Sequence, residues 1–479
     1  VYHRNPVANA RPWRQGTAPR PANNLRYTQG SFTIGGPVYL PRFGEGTPYL
    51  YDGHDKTFFF FAYEPRWRTD FTTGSALLPT AQMLAGNFTG LVRTASGLLP
   101  AAVAAQFASQ TTNATQNGSS NIYQQFTLGA NGSLVPIVLG TGFQYCQFGD
   151  VRATLNAAGQ PQCSSATNAA PIDALNIVPN AFKDPISLNL AQYMPAPGEY
   201  FLDNGLVRNY FLNRSVQQNE TRYTMRLDHA FTDAFKANFR YSKTPATGIK
   251  SAGNDINGNT GVYSDAQQYL LGFTNTISST MVNDLKINYT RGVFSEDFAP
   301  EFSIKGGRNF SGELGLRSLT EGGMPLILLT QDNGFVGADI GAGGSTNNFN
   351  VEQRYNINDI FYLNKGNMGW KFGVDLSDAR LNAVPFFSAS GGRWQFRTVN
   401  TSNNRSTGLN NGGNDLASFL IGVPNSVDFR PVLFSYYYQW LSAAAFVQND
   451  WRVRPNLTIN LGLRYALQLP RTEKNNLQG

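Results

Sequence analysis

Apolar and polar residues alternate strictly along several separate stretches of this chain. In residues 456–465, Leu457, Ile459, Leu461, Leu463 and Tyr465 share one parity, while Thr458, Asn460, Gly462 and Arg464 share the other. Successive side chains of a strand point to opposite faces, so such a segment carries one oily face and one wet face. The same period governs residues 235–241, where Phe235, Ala237, Phe239 and Tyr241 oppose Lys236, Asn238 and Arg240. Residues 285–289 and 370–376 repeat it, with Lys286 and Asp375 on the wet parity. Recurrence across the chain predicts an all-β protein and is difficult to place in a helical or α/β fold.

The predicted strands pair into hairpins through short polar links: Thr232-Asp233, residues 278–280, residues 364–367 and residues 454–456. Gly, Asn, Asp, Ser and Pro in these links are the residues that tight turns require. The connections between hairpins are long: residues 244–265, residues 295–350, and an insert over residues 90–200. Short and long connections therefore alternate, as they do in a barrel with short turns on one side of a membrane and long external loops on the other. The strand segments run near the nine to eleven residues, in round figures about ten, that a tilted membrane strand needs, or slightly longer. Aromatics gather near segment ends (residues 436–440, Trp451, Tyr465, Tyr241, Tyr289), where their amphipathic rings would sit at headgroup level. The expected fold is an antiparallel transmembrane β-barrel. Hydrocarbon solvates no backbone polar group, so a spanning sheet has to close on itself. About a dozen strands are expected here, against about 22 in a large barrel with a plugged lumen, so residues 1–479 are expected to hold part of the wall, with two unpaired edges.

Composition narrows the classes further. Of 479 residues 41% are hydrophobic, 13% aromatic and only 14% charged, against roughly 25% charged in ordinary soluble domains. That balance excludes disorder, which needs few aromatics and high net charge. A helical membrane protein is excluded by the lack of any apolar run of about 18 residues. The 48 glycines and 25 prolines follow no short repeat, which excludes collagen and coiled coil. With 38 basic and 31 acidic residues the net charge is +7. The basic residues are scattered through strands, so no nucleic-acid partner is expected; anionic lipid or lipopolysaccharide accounts for the balance equally well. The chain begins at Val1 without an initiator Met and stops at Gly479 in a polar stretch, which reads as a piece of a longer protein.

A series of blocks resembles the TonB-dependent outer-membrane receptors, and within them the Oar-like group, whose members carry a carboxypeptidase-regulatory-like N-terminal domain and then a plug. Residues 30–37 (GSFTIGGP) and 55–64 (DKTFFFFAYE) resemble the first barrel strands of that group. Residues 78–81 (LPTA), 85–88 (AGNF), 177–180 (IVPN) and 193–197 (YMPAP) resemble the signatures that follow. Residues 226–233 (RLDHAFTD) with 239–242 (FRYS) resemble its first well-marked hairpin, and residues 446–465 (FVQNDWRVRPNLTINLGLRY) its most recognisable barrel block. The resemblance implies energised uptake of a scarce substrate across the bacterial outer membrane: a small molecule, saccharide or peptide. It also implies coupling to a TonB complex through an N-terminal region missing here. The regulatory-like domain, TonB box, plug and closing aromatic-ended strand do not appear between Val1 and Gly479. A surface adhesin or carbohydrate-binding β-protein without transport is the alternative.

Catalytic and cofactor chemistry is sparse. No enzyme activity, cofactor or metal site is expected. Cys146 and Cys163, both in the insert, are the two cysteines of the chain. A disulfide that shortens the loop is favoured over two separate thiols. Two cysteines without nearby histidine fall short of a structural zinc set. Asp228-His229 could serve a Ser–His–Asp hydrolase only with a nucleophile beside it, and a solvated turn is the stronger reading. Residues 255–259 (DINGN) resemble half of a calcium loop, but Ala266 stands where the bidentate acid belongs. Lys236, Arg240, Lys286, Asp375 and Arg464 are expected to face the lumen, where solvation and plug contact are their default roles. The insert is expected to be an external loop, partly ordered, with a helical turn or two over residues 101–107 and a role in ligand capture.

Overall fold

The computed structural model of the chain describes residues 2–4, 25–41, 49–108, 119–251, 259–298, 310–316, 324–329, 339–341, 348–384, 392–405, 411–428 and 435–477. Nine long strands dominate it: β1 (Thr57–Ala76), β2 (Tyr210–Ala230), β3 (Phe235–Ser251), β4 (Asn259–Ser278), β5 (Met281–Phe298), β6 (Asn348–Lys365), β7 (Met368–Ala383), β8 (Tyr436–Arg454) and β9 (Leu457–Gln468). Each pairs antiparallel with the next in chain order. Three short strands on the far side of β1 and Thr472–Glu473 beside β8 complete one sheet of thirteen strands. Among the described residues β9 does not pair with the strands at the other end, so the sheet is an open wall with two edges.

The pairing register sorts the wall into two faces. Directly opposed residues of an antiparallel pair point to the same side. One row runs Leu227–Phe239–Leu271–Ile287–Ile357–Leu376 across six strands, and every member is apolar. The row one residue away runs Asp228–Asn238–Gly272–Lys286–Asn358–Asp375 on the other side. The apolar row is not covered by protein: Leu271 is 41% exposed, Ile357 42% and Leu376 44%. On β9 the eleven residues from Leu457 to Leu467 rise about 33 Å, or about 25 Å along a normal tilted by about 40°. That is the height of a hydrocarbon layer.

Strands β1 to β8 are 16 to 21 residues long, well beyond what the alternation predicts. The expected long connection over residues 244–265 is mostly strand: β3 continues to Ser251 and β4 begins at Asn259. Strict apolar alternation ends before the strands do, while the hydrogen-bond ladder continues to Ser251 on β3 and from Asn259 on β4. Proline marks the ladder. Pro65 of β1 faces the break between the short strands Arg26–Gln29 and Phe32–Pro37, where no N–H is needed, and its carbonyl accepts from Gly30 N at 3.1 Å. On β3 the pairing with β2 stops at Tyr223↔Lys243 and resumes at Glu220↔Ala246, skipping Pro245.

Candidate functional site

All five residues expected to line the lumen lie on the polar side of the wall, but they do not form a cluster. Lys286 and Asp375 fall in one row with Asn358 between them, so two strand spacings, about 10 Å, separate their backbones. Asp375 accepts from Asn356 Nδ2 at 3.2 Å and from Asn358 Nδ2 at 3.4 Å, while Lys286 Nζ bonds Asp284 at 2.9 Å. Lys236 and Arg464 share another row at its opposite ends, with Thr274, Asp284, Ile360, Gly373 and Phe446 between them. Arg240 lies across from Arg226, whose guanidinium is held by Asp228 at 2.8 Å. The polar side is therefore a wetted, amide-rich surface with charges spread along it. Phe446 interrupts it, its ring filling the space above Gly373, where an added Cβ would meet a ring carbon at 1.9 Å.

The apolar side ends in two further rows that the alternation alone did not disclose. Tyr241, Tyr269, Tyr289 and Tyr355 stand side by side on four neighbouring strands, with successive ring centroids 4.8, 5.9 and 4.8 Å apart. Two residues further from the short turns, the same side carries Lys243, Gln267, Arg291, Gln353, Arg380 and Gln439 in one continuous row. Cations and amides alternate, so no two like charges oppose each other directly. Gln353 Nε2 donates to the Tyr289 hydroxyl at 3.0 Å, and the Arg380 guanidinium lies 5.2 Å from the Tyr355 ring centre. Such an aromatic row with a charged row beyond it is the profile of a hydrocarbon boundary. Tyr241 and Tyr289 were legible as segment-end aromatics; Tyr269 and Tyr355 became their neighbours only through register.

At the end of the wall opposite the short turns, three connections fold together into one compact cap. Its core takes Phe88, Ile122 and Val178 from the β1–β2 connection, Phe310, Met324 and Ile340 from the β5–β6 connection, and Leu416, Phe419 and Leu420 from the β7–β8 connection. Phe88, Phe310 and Phe419 are wholly buried. Tyr193 packs edge-on against Phe310 with centroids 5.1 Å apart, and Phe396 against Phe419 at 5.2 Å. Backbone bonds stitch the connections: Tyr123 N to Thr401 O at 2.8 Å, Tyr145 N to Asn403 O at 2.8 Å, and Asp184 N to Leu420 O at 2.8 Å. Buried side chains bond the remaining carbonyls, Arg93 Nη2 to Gly413 at 2.9 Å and Gln125 Nε2 to Ser402 at 2.8 Å. Buried carbonyls need such partners, because an unpaired one forfeits its hydration. Gly413 adopts φ +88°, and a Cβ there would lie 2.1 Å from Thr398 O, so glycine is required. The helix Asp415–Leu420 follows, capped by Asn414, whose side chain accepts from Ala417 N.

The described residues of the insert contribute to this core. Residues 101–107 do form a short helix, Ala101–Phe107. Sulfurs of Cys146 and Cys163 are joined in a disulfide that ties two strands of a small sheet, Phe143–Gln144 and Pro161–Ser164. Nearby, the Arg152 guanidinium bonds Asp150 at 2.7 Å and holds that carboxyl below the ordinary carboxylate range. Burial pushes the Tyr123 and Tyr200 hydroxyls up and the Arg208 guanidinium down.

The Asp228-His229 pair does not make a relay. Adjacent strand residues point to opposite sides, and here Asp228 bonds Arg226 while His229 Nδ1 and Thr57 Oγ1 lie 2.6 Å apart in a hydrogen bond. Residues 255–258 of the calcium-like segment lie outside the described residues. Among the described residues no three His, Cys, Asp or Glu side chains gather as metal ligands.

Among solved structures the chain is similar to the outer membrane transporter YddB of Escherichia coli, at 6% identity and a TM-score of 0.40, over 94% of this chain and 35% of that one. It is also similar to the ferric-catecholate import receptor Fiu of E. coli K12 in an open form, at 10% identity and a TM-score of 0.29, over 93% of this chain and 52% of that one. The chain thus spans about a third of the first protein and about half of the second. Curated proteins give no sequence match. Residues 1–479 in full match the family described as the outer membrane beta barrel domain, and the chain belongs to that family.

Proposed function

We propose that this outer-membrane chain forms wall and external cap of a TonB-dependent receptor, of the kind the Oar-like blocks resemble, that takes up a scarce polar solute. The observation that carries the reading is the convergence of three long connections, from strand ends far apart in the chain, into one buried core beside a polar-faced wall. An external adhesive loop has no need of that convergence. A receptor does, because a cap built from several strand ends can change position when the wall and its contents change. The amide-rich polar side, with Asn356 and Asn358 bonded to Asp375 and Asn288 opposite Asn356, suits a solute rich in hydroxyl or amide groups; a siderophore, an oligosaccharide and a peptide all qualify. In this reading Lys236, Arg240, Lys286, Asp375 and Arg464 line the lumen and contact solute, water or plug. Energy comes from a TonB complex engaging a segment N-terminal to Val1. The cap disulfide keeps the exposed 143–164 region ordered outside the cell, where thiols oxidise.

Uptake tests the proposal. Cells carrying the whole protein, with and without a working TonB system, are offered labelled siderophores, cobalamin, oligosaccharides and peptides. Accumulation of one of them that requires the TonB system is the expected result. Binding at the surface without accumulation in either background would replace the receptor by the adhesin.

A further inference from the structure

The outer, apolar side of the wall carries two hollows stacked one above the other on β6, β7 and β8. The lower one, about 350 Å³, is lined by Ile357, Leu376, Leu441, Ala443 and Leu467, below Tyr355. Its depth comes from β8, which presents Ala443 between Leu376 of β7 and Leu467 of β9. The upper one, about 660 Å³, opens onto the polar row at Arg291, Gln353, Arg380 and Gln439, and is closed by Tyr437 and Lys474. Arg380 stands four residues above Leu376 on β7, about 13 Å along the strand.

The charges in the upper hollow are unevenly engaged. Arg380 is bonded to Asp378 at 2.6 Å, and Lys243, further along the row, lies 3.6 Å from Asp265. Arg291 and Lys474 make no ion pair among the described residues. The nearby Glu473 carboxylate is occupied by the backbone N–H groups of Tyr437, Asn475 and Leu477. A net positive chamber, polar along the Arg291–Gln439 row and apolar at Phe349 and Val351, therefore sits directly over an apolar groove, at the hydrocarbon boundary on the side of the long connections.

We infer that the two hollows are one binding site for a phosphorylated, multiply acylated glycolipid of the outer leaflet: Arg291, Lys474 and Arg380 hold a phosphate, and the groove over Ala443 holds an acyl chain. Arginine and lysine are the residues that bind phosphate, arginine through two parallel N–H donors. Gln353 and Gln439 supply donors and acceptors for sugar hydroxyls without adding charge. A zwitterionic phospholipid, whose single phosphate is offset by its own cation, would answer Arg291 and Lys474 less fully than two phosphates do. The site deepens the proposed function, since it rests on the long connections facing outward. It gives the cap-bearing end of β6 to β8 a fixed lipid partner.

The purified protein in nanodiscs of phosphatidylethanolamine doped with diphosphorylated lipid A, read by native mass spectrometry, tests the site. One lipid A retained per chain is expected. Arg291→Gln with Lys474→Gln is expected to lower retention about tenfold or more, the weight of a charge-assisted hydrogen bond. Ala443→Leu, which fills the groove and changes no charge, is expected to lower it several-fold. Dephosphorylated lipid A is expected to be lost on transfer, and millimolar inorganic phosphate to leave retention unchanged. Equal retention in the charge variant, equal retention of the dephosphorylated lipid, or displacement by phosphate alone would each overturn the site. Heat-modifiable gel migration checks that each variant is folded, and the lipid and groove arms need no charge variant at all. Because solute uptake is not measured, failure here leaves the receptor reading standing, and failure of uptake leaves this site standing.

Discussion

Wall and cap use the same apolar side chains against opposite surroundings. Phe88, Phe310 and Phe419 in the cap are 0% exposed, whereas Leu271, Ile357 and Leu463 in the wall are 41, 42 and 72% exposed. The cap excludes water by packing side chain on side chain; the wall leaves its apolar side bare because hydrocarbon is its solvent. Backbone satisfaction differs in the same way. In the wall the ladder between neighbouring strands absorbs N–H and C=O groups along β1 to β9. In the cap, side chains such as Arg93, Gln125 and Asn209 complete what short strands cannot. The wall is thus specified by period and register, and the cap by individual contacts, so the two should fail under different mutations.

The largest effect is expected from Phe419→Ala. Emptying a fully buried site shared by Phe396 and the helix Asp415–Leu420 should cost the cap about 3–5 kcal/mol. Amide exchange over residues 396–420 should rise while heat-modifiable migration of the wall stays unchanged; parallel loss of both would join what we separate. Next come two adjacent wall positions. Val447→Arg, in the row of Leu463 near the middle of the Leu457–Leu467 span, places a charge on the lipid side and should cost about 2–4 kcal/mol near the midplane, whereas Gln448→Arg, one residue on, should stay within about 0.5 kcal/mol. Equilibrium unfolding in lipid vesicles reads the difference, and equal costs would mean that the two sides share one solvent.

Replacing Cys146 and Cys163 by Ser removes a cross-link over 17 positions, worth about 2–3 kcal/mol in chain-entropy terms. Proteolysis within residues 143–164 should become faster, with the core around Phe419 still protected. The smallest effect concerns acid. Asp150 titrates lower in the folded cap than in the unfolded chain, where a carboxylate sits near pH ~3.9. Its contribution is therefore full above that value and lost as pH falls through the folded one. Acid unfolding of the cap should begin slightly higher in Asp150→Asn, and Arg152→Gln should match it. A wild-type onset in both variants would show that the pair adds nothing measurable.

How much of this could be read beforehand follows from the same contrast. Alternation at residues 235–241 and 456–465 identified wall strands and the side of each residue, because a strand's period is local and needs no partner. It stopped short of the true strand ends, since residues 244–251 (TPATGIKS) carry no apolar alternation and are placed by the ladder. The cap left no periodic trace. Arg93 reaches Gly413 across 320 positions, and Phe88, Phe310 and Phe419 meet from three separate connections.

The chain's own order of residues determined the two-sided strands, their short turns and the charges spread along the polar side. Tertiary structure decided which residues became neighbours: the tyrosine row, the alternation of cation and amide beyond it, the hollows over Ala443, and the common core of the three connections. Side-chain direction along one strand is set within two residues, whereas register between strands and closure of long connections are settled only when distant segments compete for the same partners.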